Sequence, residues 1–172
     1  MTQIADDAFK SCGSILSVYI PDTVTVIGEN AFRNTKMTNG VMGGANVETI
    51  KQYAFCGTDQ TFEGRLDRQG YLVFPNVKRI EFMAFGNSVG NGDKGWTGRY
   101  IVVGAQLSYI NLNGTRETAY GRDNKGIQEV KYGGTKAQWK SNVTMECSEK
   151  PVCTVYCTDG TLEYTSSGLK ES

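Results

Sequence analysis

The chain of 172 residues contains no histidine. Histidine is the commonest general base, a member of the usual serine and cysteine triads and a frequent ligand of catalytic zinc. Its absence leaves Cys56 without the usual partner for nucleophilic work. Asp6 and Asp7 are adjacent carboxylates, which we interpret as solvated charge. The sequence therefore predicts a protein that is not an enzyme and that needs no cofactor.

The sequence also lacks an excess of charge of either sign, since 18 Lys and Arg residues balance 18 Asp and Glu residues. A balanced chain lacks the long-range field that draws proteins to nucleic acids or anionic membranes. No apolar run approaches the roughly 20 residues that span a bilayer, and residues 1–20 show no signal-peptide pattern. We therefore expect no nucleic-acid partner and no membrane span.

Proline is scarce, with three residues, whereas 21 glycines favour many tight turns. The five cysteines are an odd number, so a monomer keeps at least one free thiol. Cys12 and Cys56 follow Ala-Phe pairs, where we expect small buried residues. Cys147, Cys153 and Cys157 do not have the spacing of a zinc site. We predict no metal site there, with one disulfide as an alternative.

What the chain does contain is one phrase, Ile-x-x-x-Ala-Phe, at four places. From one Ala-Phe pair to the next, the steps are 23, 23 and 30 residues. A period in this range indicates a stack of coils that share one core, because a single coil is too small to bury its own apolar face. We expect the four phenylalanines to form a buried column: Phe9, Phe32, Phe55 and Phe85.

Two apolar segments in each repeat predict short strands. A Val-x-x-Ile segment precedes each later Ala-Phe phrase, whose own residues predict a 3₁₀-like turn. A second phrase, Ile15–Pro21, alternates apolar residues and closes with proline, which is typical of a strand. We align Leu107–Leu112 and Ile127–Tyr132 with this second phrase.

The same alternation predicts a face that points outward from the second phrase. Tyr19, Tyr71 and Tyr109 are the candidate contact residues, because tyrosine buries a large area at small entropic cost. Asn111 and Lys131 occupy equivalent outward places and complete the candidate face. The alternative is that these side chains only cover the sheet.

Two insertions interrupt the period, near residues 56–71 and 86–106. Insertions in a solenoid lie on loops at one face and often carry the individual function. The second insertion contains Trp96 and Tyr100, aromatic residues available for contact with a partner. The alternative is a tolerated flexible loop.

The C-terminal part of the chain predicts a cap. Thr135 follows Gly-Gly and precedes helix-tolerant residues, so we expect it at the N-cap of a short helix from which Trp139 closes the core. The end of a solenoid must cover its last apolar layer. We therefore predict one solenoid domain over residues 1–160, with a capping unit near 127–160, followed by a tail at 161–172.

These motifs resemble the BspA-type leucine-rich repeat. Between Ile20 and Phe32 the chain has Ile-Pro, Val-x-x-Ile-Gly and Ala-Phe in the order and period of that family, and residues 130–139 and 155–160 resemble its terminal unit. The resemblance covers most of residues 1–160. It implies a right-handed solenoid, mainly β with short 3₁₀ or helical turns, and a parallel sheet on one face.

The resemblance also implies a bacterial protein, often surface-exposed or secreted, used for adhesion or other protein contacts. We therefore expect a module that presents its repeat surface to a host or bacterial macromolecule. The chain shows no signal peptide, so a surface location would make it a fragment, and a cytoplasmic or phage-associated location is the alternative. The alternative function is a building block of a surface layer or phage particle.

Overall fold

A computed structural model describes most of the chain, and the structural statements that follow refer to the described residues alone. These are residues 1–35, 37, 40–58, 71–86, 100–112, 127, 129–147 and 152–172. The side chains of Tyr71 and Tyr100 lie outside this description, as does Trp96 with the rest of segment 87–99. The predicted contacts of these three aromatic residues therefore stay predictions.

Short strands and one helix form the described part of the fold. In chain order they are β1 (Gln3–Ile4), β2 (Val18–Ile20), β3 (Val26–Ile27), β4 (Val41–Gly43), β5 (Thr49–Ile50), β6 (Tyr71–Phe74), β7 (Arg79–Ile80), β8 (Tyr100–Val103), β9 (Tyr109–Asn111), β10 (Glu129–Tyr132), α1 (Lys136–Asn142), β11 (Thr144–Glu146), β12 (Cys153–Cys157), β13 (Gly160–Thr165) and β14 (Gly168–Glu171). From β2 to β12 the strands alternate between two ladders, so each coil contributes one strand to each ladder. The mainly β repeat solenoid is therefore confirmed.

The first ladder is a sheet of parallel strands in the order β1-β3-β5-β7-β9-β11. The second ladder comprises the parallel pair β2-β4 and the sheet β6-β8-β10-β12-β13-β14, whose last two pairings are antiparallel. The parallel sheet expected on one face is present as the second ladder. The Val-x-x-Ile segments add the first ladder as another parallel sheet.

The core between the ladders contains the expected aromatic column. Phe32 and Phe55 are fully buried, and consecutive rings of the column stack with centroids 5.3 to 5.4 Å apart. Phe9 stacks on Phe32, but it is 39% exposed because no described coil covers its other ring face. The buried column is confirmed for three rings, and the expected burial of Phe9 is wrong.

The insertion between the third and fourth phrases leaves the stacking unchanged. The step from Ala54 to Ala84 is seven residues longer than the two before it (30 against 23). Ile50 nevertheless pairs with Ile80 in register, and the Phe55 and Phe85 rings are 5.4 Å apart. The longer step therefore leaves the pairing and the ring stacking of the described coils in register.

The turns around Ala-Phe differ from a 3₁₀ helix. Each contains bonds from an N–H to the carbonyl three residues earlier, such as Ala31 N–H to Gly28 O at 3.3 Å. The residue before alanine has a positive φ in every coil, between 48° and 56°, which a 3₁₀ helix does not allow. These residues are Asp7, Asn30, Tyr53 and Met83.

Backbone hydrogen bonds join successive coils in two opposite directions. In the turns, an earlier coil donates to the next, as from Phe32 N–H to Ala54 O at 2.8 Å. At the ends of the strand pairs in the first ladder, the later coil donates to the earlier one, as from Lys51 N–H to Ile27 O at 3.0 Å. Each side of a coil therefore presents donors at one place and acceptors at another.

The structure corrects the alignment of Leu107–Leu112 with Ile15–Ile20. Strand β9 lies in the first ladder, and Ile110 is in register with Ile80. The segment Gly104–Ile110 has the sequence Gly-Ala-Gln-Leu-Ser-Tyr-Ile, which matches Gly-Ala-Asn-Val-Glu-Thr-Ile at Gly44–Ile50. The leucine therefore takes the place of valine in the Val-x-x-Ile segment.

The predicted C-terminal cap is present. Thr135 is the N-cap of α1 in a capping box, accepting from Gln138 N–H at 3.2 Å while its own N–H donates to Gln138 Oε1 at 2.8 Å. Trp139 is 1% exposed, and its Nε1–H donates to the Tyr164 hydroxyl at 3.0 Å. This helix therefore closes the core as expected.

Residues 161–172 are not a free tail, because most of them belong to β13 and β14. Leu162 is fully buried and pairs with Val155, while Tyr164 packs against the core. An antiparallel hairpin extends the second ladder because its alternate apolar residues complete the last core layer. The domain limits at 1 and 160 otherwise stay a prediction.

Candidate binding surface

The outer face of the second ladder has a row of apolar side chains. Strand alternation turns Ile20 and Leu72 into the core, whereas Tyr19, at 64% exposed, and Val73, at 40%, face solvent. The row also includes Met42, at 42% exposed, and Tyr156, at 39%. Five apolar residues and one lysine form this row, which we call the apolar stripe: Tyr19, Met42, Val73, Val102, Lys131 and Tyr156.

Register places the members of the stripe side by side. Tyr19 pairs with Met42, and the order Val73, Val102, Lys131, Tyr156 follows neighbouring strands of the second sheet. Strand β4 is near β6, since a β-carbon at Gly44 would lie 3.1 Å from the Phe74 ring. With about 4.8 Å between strands, the stripe is on the order of 24 Å long.

The candidate contact residues predicted from the sequence lie in both ladders. Tyr19 lies in the stripe as expected, and Lys131 lies there half-buried. The backbones of Tyr71 and Tyr100 are register partners in β6 and β8 of the same ladder. Tyr109, through the corrected alignment, belongs to the opposite ladder.

Tyr109 is held by neighbours on the outer face of the first ladder. The Arg79 guanidinium lies 4.0 Å from its ring centroid, and the Tyr109 hydroxyl donates to Glu146 Oε2. Partial burial, followed by the hydrogen bond to Glu146, raises the pKa of the Tyr109 hydroxyl. Asn111 is 4% exposed and donates to that hydroxyl at 3.4 Å, so its expected outward exposure is wrong.

Ion pairs continue along the rest of this face. Lys78 Nζ lies 2.9 Å from Glu48 Oε1, and Lys51 Nζ lies 3.1 Å from Asp6 Oδ1. The Glu29 backbone N–H, as the larger cause, and Lys51 lower the pKa of the Asp6 carboxyl. Exposed ion pairs contribute little stability. Their effect is that the outer face of the first ladder is polar, in contrast to the apolar stripe.

The alternation of the second phrase also turns Met42 and Val73 outward, but two other members of the stripe, Val102 and Tyr156, were missed from the sequence. The signal was present for Val102, because Tyr-Ile-Val-Val at Tyr100–Val103 repeats the pattern Tyr-Leu-Val-Phe at Tyr71–Phe74. Tyr156 lies in a strand whose outward residues are separated by buried Val155. Both become recognisable only when the strands of the second ladder are correctly aligned.

The cysteine thiols do not indicate a reactive site at the surface. Cys56 is buried as expected, whereas Cys12 is exposed, because no described coil covers its side of the first turn. Burial, as the larger cause, raises the pKa of the Cys153 thiol to about 12, so this group stays protonated. All five cysteines are free thiols. Within the described ranges, no group of three or more Cys, Asp or Glu residues is arranged to hold a metal ion.

The fold and the stripe define a repeat solenoid that presents one apolar face. A family model described as 'BspA type Leucine rich repeat region (6 copies)' matches residues 2–89, which is just over half of the chain. The chain belongs to this family, a family of bacterial surface and secreted proteins whose repeats are generally non-enzymatic interaction modules. No curated protein and no solved structure matches the chain. The part of the chain with described structure has no helix that could span a membrane.

Proposed function

We propose that the chain is a non-enzymatic protein-binding module that uses the apolar stripe to contact a protein partner. The observation that carries this proposal is the contrast between the two outer faces. The stripe exposes Tyr19, Met42, Val73 and Tyr156 in one row, whereas ion pairs and a tethered tyrosine occupy the other face. Contiguous exposed apolar residues mark interaction sites, while isolated ones are ordinary.

The composition of the stripe suits a protein contact. Fully burying an exposed apolar side chain contributes roughly 1.5–3 kcal/mol. Each stripe residue is partly buried already, so covering it contributes about 1 kcal/mol. Tyrosine adds a hydroxyl that can be satisfied at the rim of an interface. Four such residues are sufficient for a central contact that neighbouring polar residues surround.

More specifically, we propose that the chain serves in adhesion to a host or bacterial macromolecule, at the cell surface or after secretion. Membership of a surface and secreted family supports it. The part of the predicted insertion at residues 87–99, with Trp96, extends the proposal to a second contact region, whereas Tyr100 begins β8 of the second ladder. Finding the chain as a stoichiometric component of purified surface layers or phage particles would instead favour the building-block function.

The test compares two double variants. Intact protein captures ligands from host mucosal extract, a captured protein is identified, and its affinity is then measured by calorimetry with purified components. We expect Tyr19→Ser with Val73→Ser to weaken binding at least tenfold, since about 2 kcal/mol of apolar contact is lost. Equal affinity of this variant and the wild type would contradict the role of the stripe.

A matched control removes equally exposed apolar residues elsewhere. Val152, at 54% exposed, and Leu169, at 43%, lie outside the stripe. We expect Val152→Ser with Leu169→Ser to bind like the wild type. If both double variants lose affinity equally, general surface hydrophobicity rather than the stripe is responsible. Deleting residues 87–99, which leaves β8 in place, tests the separate contribution of the insertion.

A further inference from the structure

A third surface of the solenoid lies on the outer side of the Ala-Phe turns. Backbone hydrogen bonds join neighbouring turns there, as from Asn34 N–H to Cys56 O at 3.0 Å and from Tyr53 N–H to Phe82 O at 3.1 Å. Side chains of successive turns are therefore adjacent. Those of Arg33, Tyr53 and Phe82 contact one another, and we call them the arginine–aromatic row.

The row holds one cation against two aromatic rings. The Arg33 guanidinium carbon lies 4.9 Å from the centroid of the Tyr53 ring, so a cation–π contact positions the guanidinium. The Phe82 ring meets the Tyr53 ring edge-on, with centroids 5.6 Å apart, and Phe82 is 37% exposed. Arg33 and Tyr53 are half-buried. The row spans two coil spacings, about 10 Å, and it consists of residue types that are enriched in protein interfaces.

One edge of the guanidinium has no acceptor among the described residues. Arg33 Nη1 donates to Asn30 Oδ1 at 3.1 Å. Arg33 Nε–H, in contrast, is buried without a hydrogen-bond partner in the part of the chain that the structure describes. Buried donors are nearly always paired in folded proteins. Nε and the neighbouring Nη2 are also the two donors with which arginine binds a carboxylate side-on. Because the side chain is half-buried, a carboxylate can reach the guanidinium from solvent, and a small rotation then brings Nε–H to it.

The charges around the row leave Arg33 available to an acidic group. Arg33 has no ion pair with a described residue, whereas Lys10, at the equivalent place in the first turn, is paired with Asp7 at 2.7 Å. Asn30 lies between Glu29 and Arg33, because its Nδ2 donates to Glu29 Oε1 at 3.4 Å while its Oδ1 accepts from Arg33. A polyanion such as a nucleic acid binds through many cations. The charge pattern therefore fits a single acidic side chain.

We propose that the arginine–aromatic row binds an acidic segment of a protein partner, in which a carboxylate pairs with Arg33 and an apolar side chain covers Phe82. This site is separate from the apolar stripe, because the row lies on the turns and the stripe on the second ladder. The distance of about 10 Å between the two contacts corresponds to about three residues of an extended peptide. The expected partner segment therefore carries Asp or Glu about three residues from an aromatic or aliphatic residue.

The test uses a random library of dodecapeptides displayed on phage as the probe. Phage are first depleted on the double variant Arg33→Gln with Phe82→Ser, and those that then bind the intact wild-type chain are sequenced. We expect the enriched peptides to share an acidic residue about three positions from an apolar one. For a synthetic peptide of this kind, fluorescence polarisation should show binding at least tenfold weaker to Arg33→Gln. Phe82→Ser should weaken binding about three- to tenfold.

A change in the peptide identifies the charge pair without relying on a variant of the chain. Replacing the acidic residue of the peptide by its amide should weaken binding to the wild-type chain at least tenfold. With Arg33→Gln, the acidic and amide peptides should bind alike, because the pair is already lost. Lys10→Gln is the matched control, since Lys10 is a base on the same surface that Asp7 already pairs, and it should bind like the wild type. Circular dichroism melts establish that each variant is folded.

Several outcomes would overturn the proposal. These are a lack of enrichment after depletion, enriched peptides without an acidic residue, an amide peptide that binds as tightly as the acidic one, and an equal loss of affinity with Lys10→Gln. The stripe variant Tyr19→Ser with Val73→Ser should bind the selected peptides like the wild type. Loss of affinity in that variant would assign the peptides to the stripe instead, so failure of the row is distinguishable from failure of the stripe.

Discussion

Replacing Phe32 by alanine tests whether the aromatic column stabilises the solenoid. The Phe32 ring is fully buried, and both its faces are covered, by Phe9 and Phe55 with centroids 5.3 Å away. Truncating such a ring leaves a cavity in a core that relaxes only partly, and the cost is roughly 3–5 kcal/mol. For a chain of this size, that loss lowers the Tm by about 6–20 °C.

Phe9 is the matched control for this prediction, because it occupies the equivalent place with one ring face open. It is 39% exposed, so Phe9→Ala removes less buried area and leaves no closed cavity. We expect about half the cost, about 1.5–2.5 kcal/mol. Circular dichroism melts and urea denaturation of both variants would measure the difference. Equal losses, or an unchanged Phe32→Ala midpoint, would refute the reasoning from the stacked column.

Two further predictions concern the first ladder and the turns. Met83 has a φ of 48°, which costs about 1 kcal/mol in a residue with a β-carbon, so Met83→Asn should raise the free energy of unfolding by about 0.5–1 kcal/mol in urea melts; a loss would show that packing of the methionine outweighs strain. The pKa of Asp6 is lower in the folded state than in the unfolded state. Its stabilising effect is therefore complete above the unfolded value of about 3.9 and is lost as pH falls through the folded value. Asp6→Asn should reduce the loss of stability below about pH 4, and an unchanged pH profile would contradict this.

The predictable part of the fold follows mostly from the sequence repeat. The Ile-x-x-x-Ala-Phe phrase places an isoleucine and a phenylalanine at fixed points of every coil, so Ile27, Ile50 and Ile80 are in register and their phenylalanines stack. The cap was predictable because Thr135 and Gln138 form a local hydrogen-bond pattern with a sequence signature. Both predictions depend on short-range information.

The binding surface was less predictable, because it depends on which ladder each strand joins. Leu107–Leu112 has the spacing of both apolar phrases, since apolar residues three positions apart occur in each. The match of Gly104–Ile110 to Gly44–Ile50 is the sequence signal for the correct assignment, and pairing of Ile110 with Ile80 places Tyr109 and Asn111 on the polar face. The hairpin of β13 and β14 was missed for a related reason, because it lies outside the repeat and is stabilised by long-range pairing with β12.

The opposed hydrogen-bond directions at the turns and the first ladder bear on how such a protein changes length. At the turn, an inserted coil accepts hydrogen bonds from the preceding coil. Beside the strands of the first ladder, it donates hydrogen bonds to that same coil. It can therefore be inserted in one orientation alone. Duplication or loss of a whole period preserves every bond of this kind, as Phe32 to Ala54 and Lys51 to Ile27 illustrate. The gene is thus expected to grow and shrink in complete units.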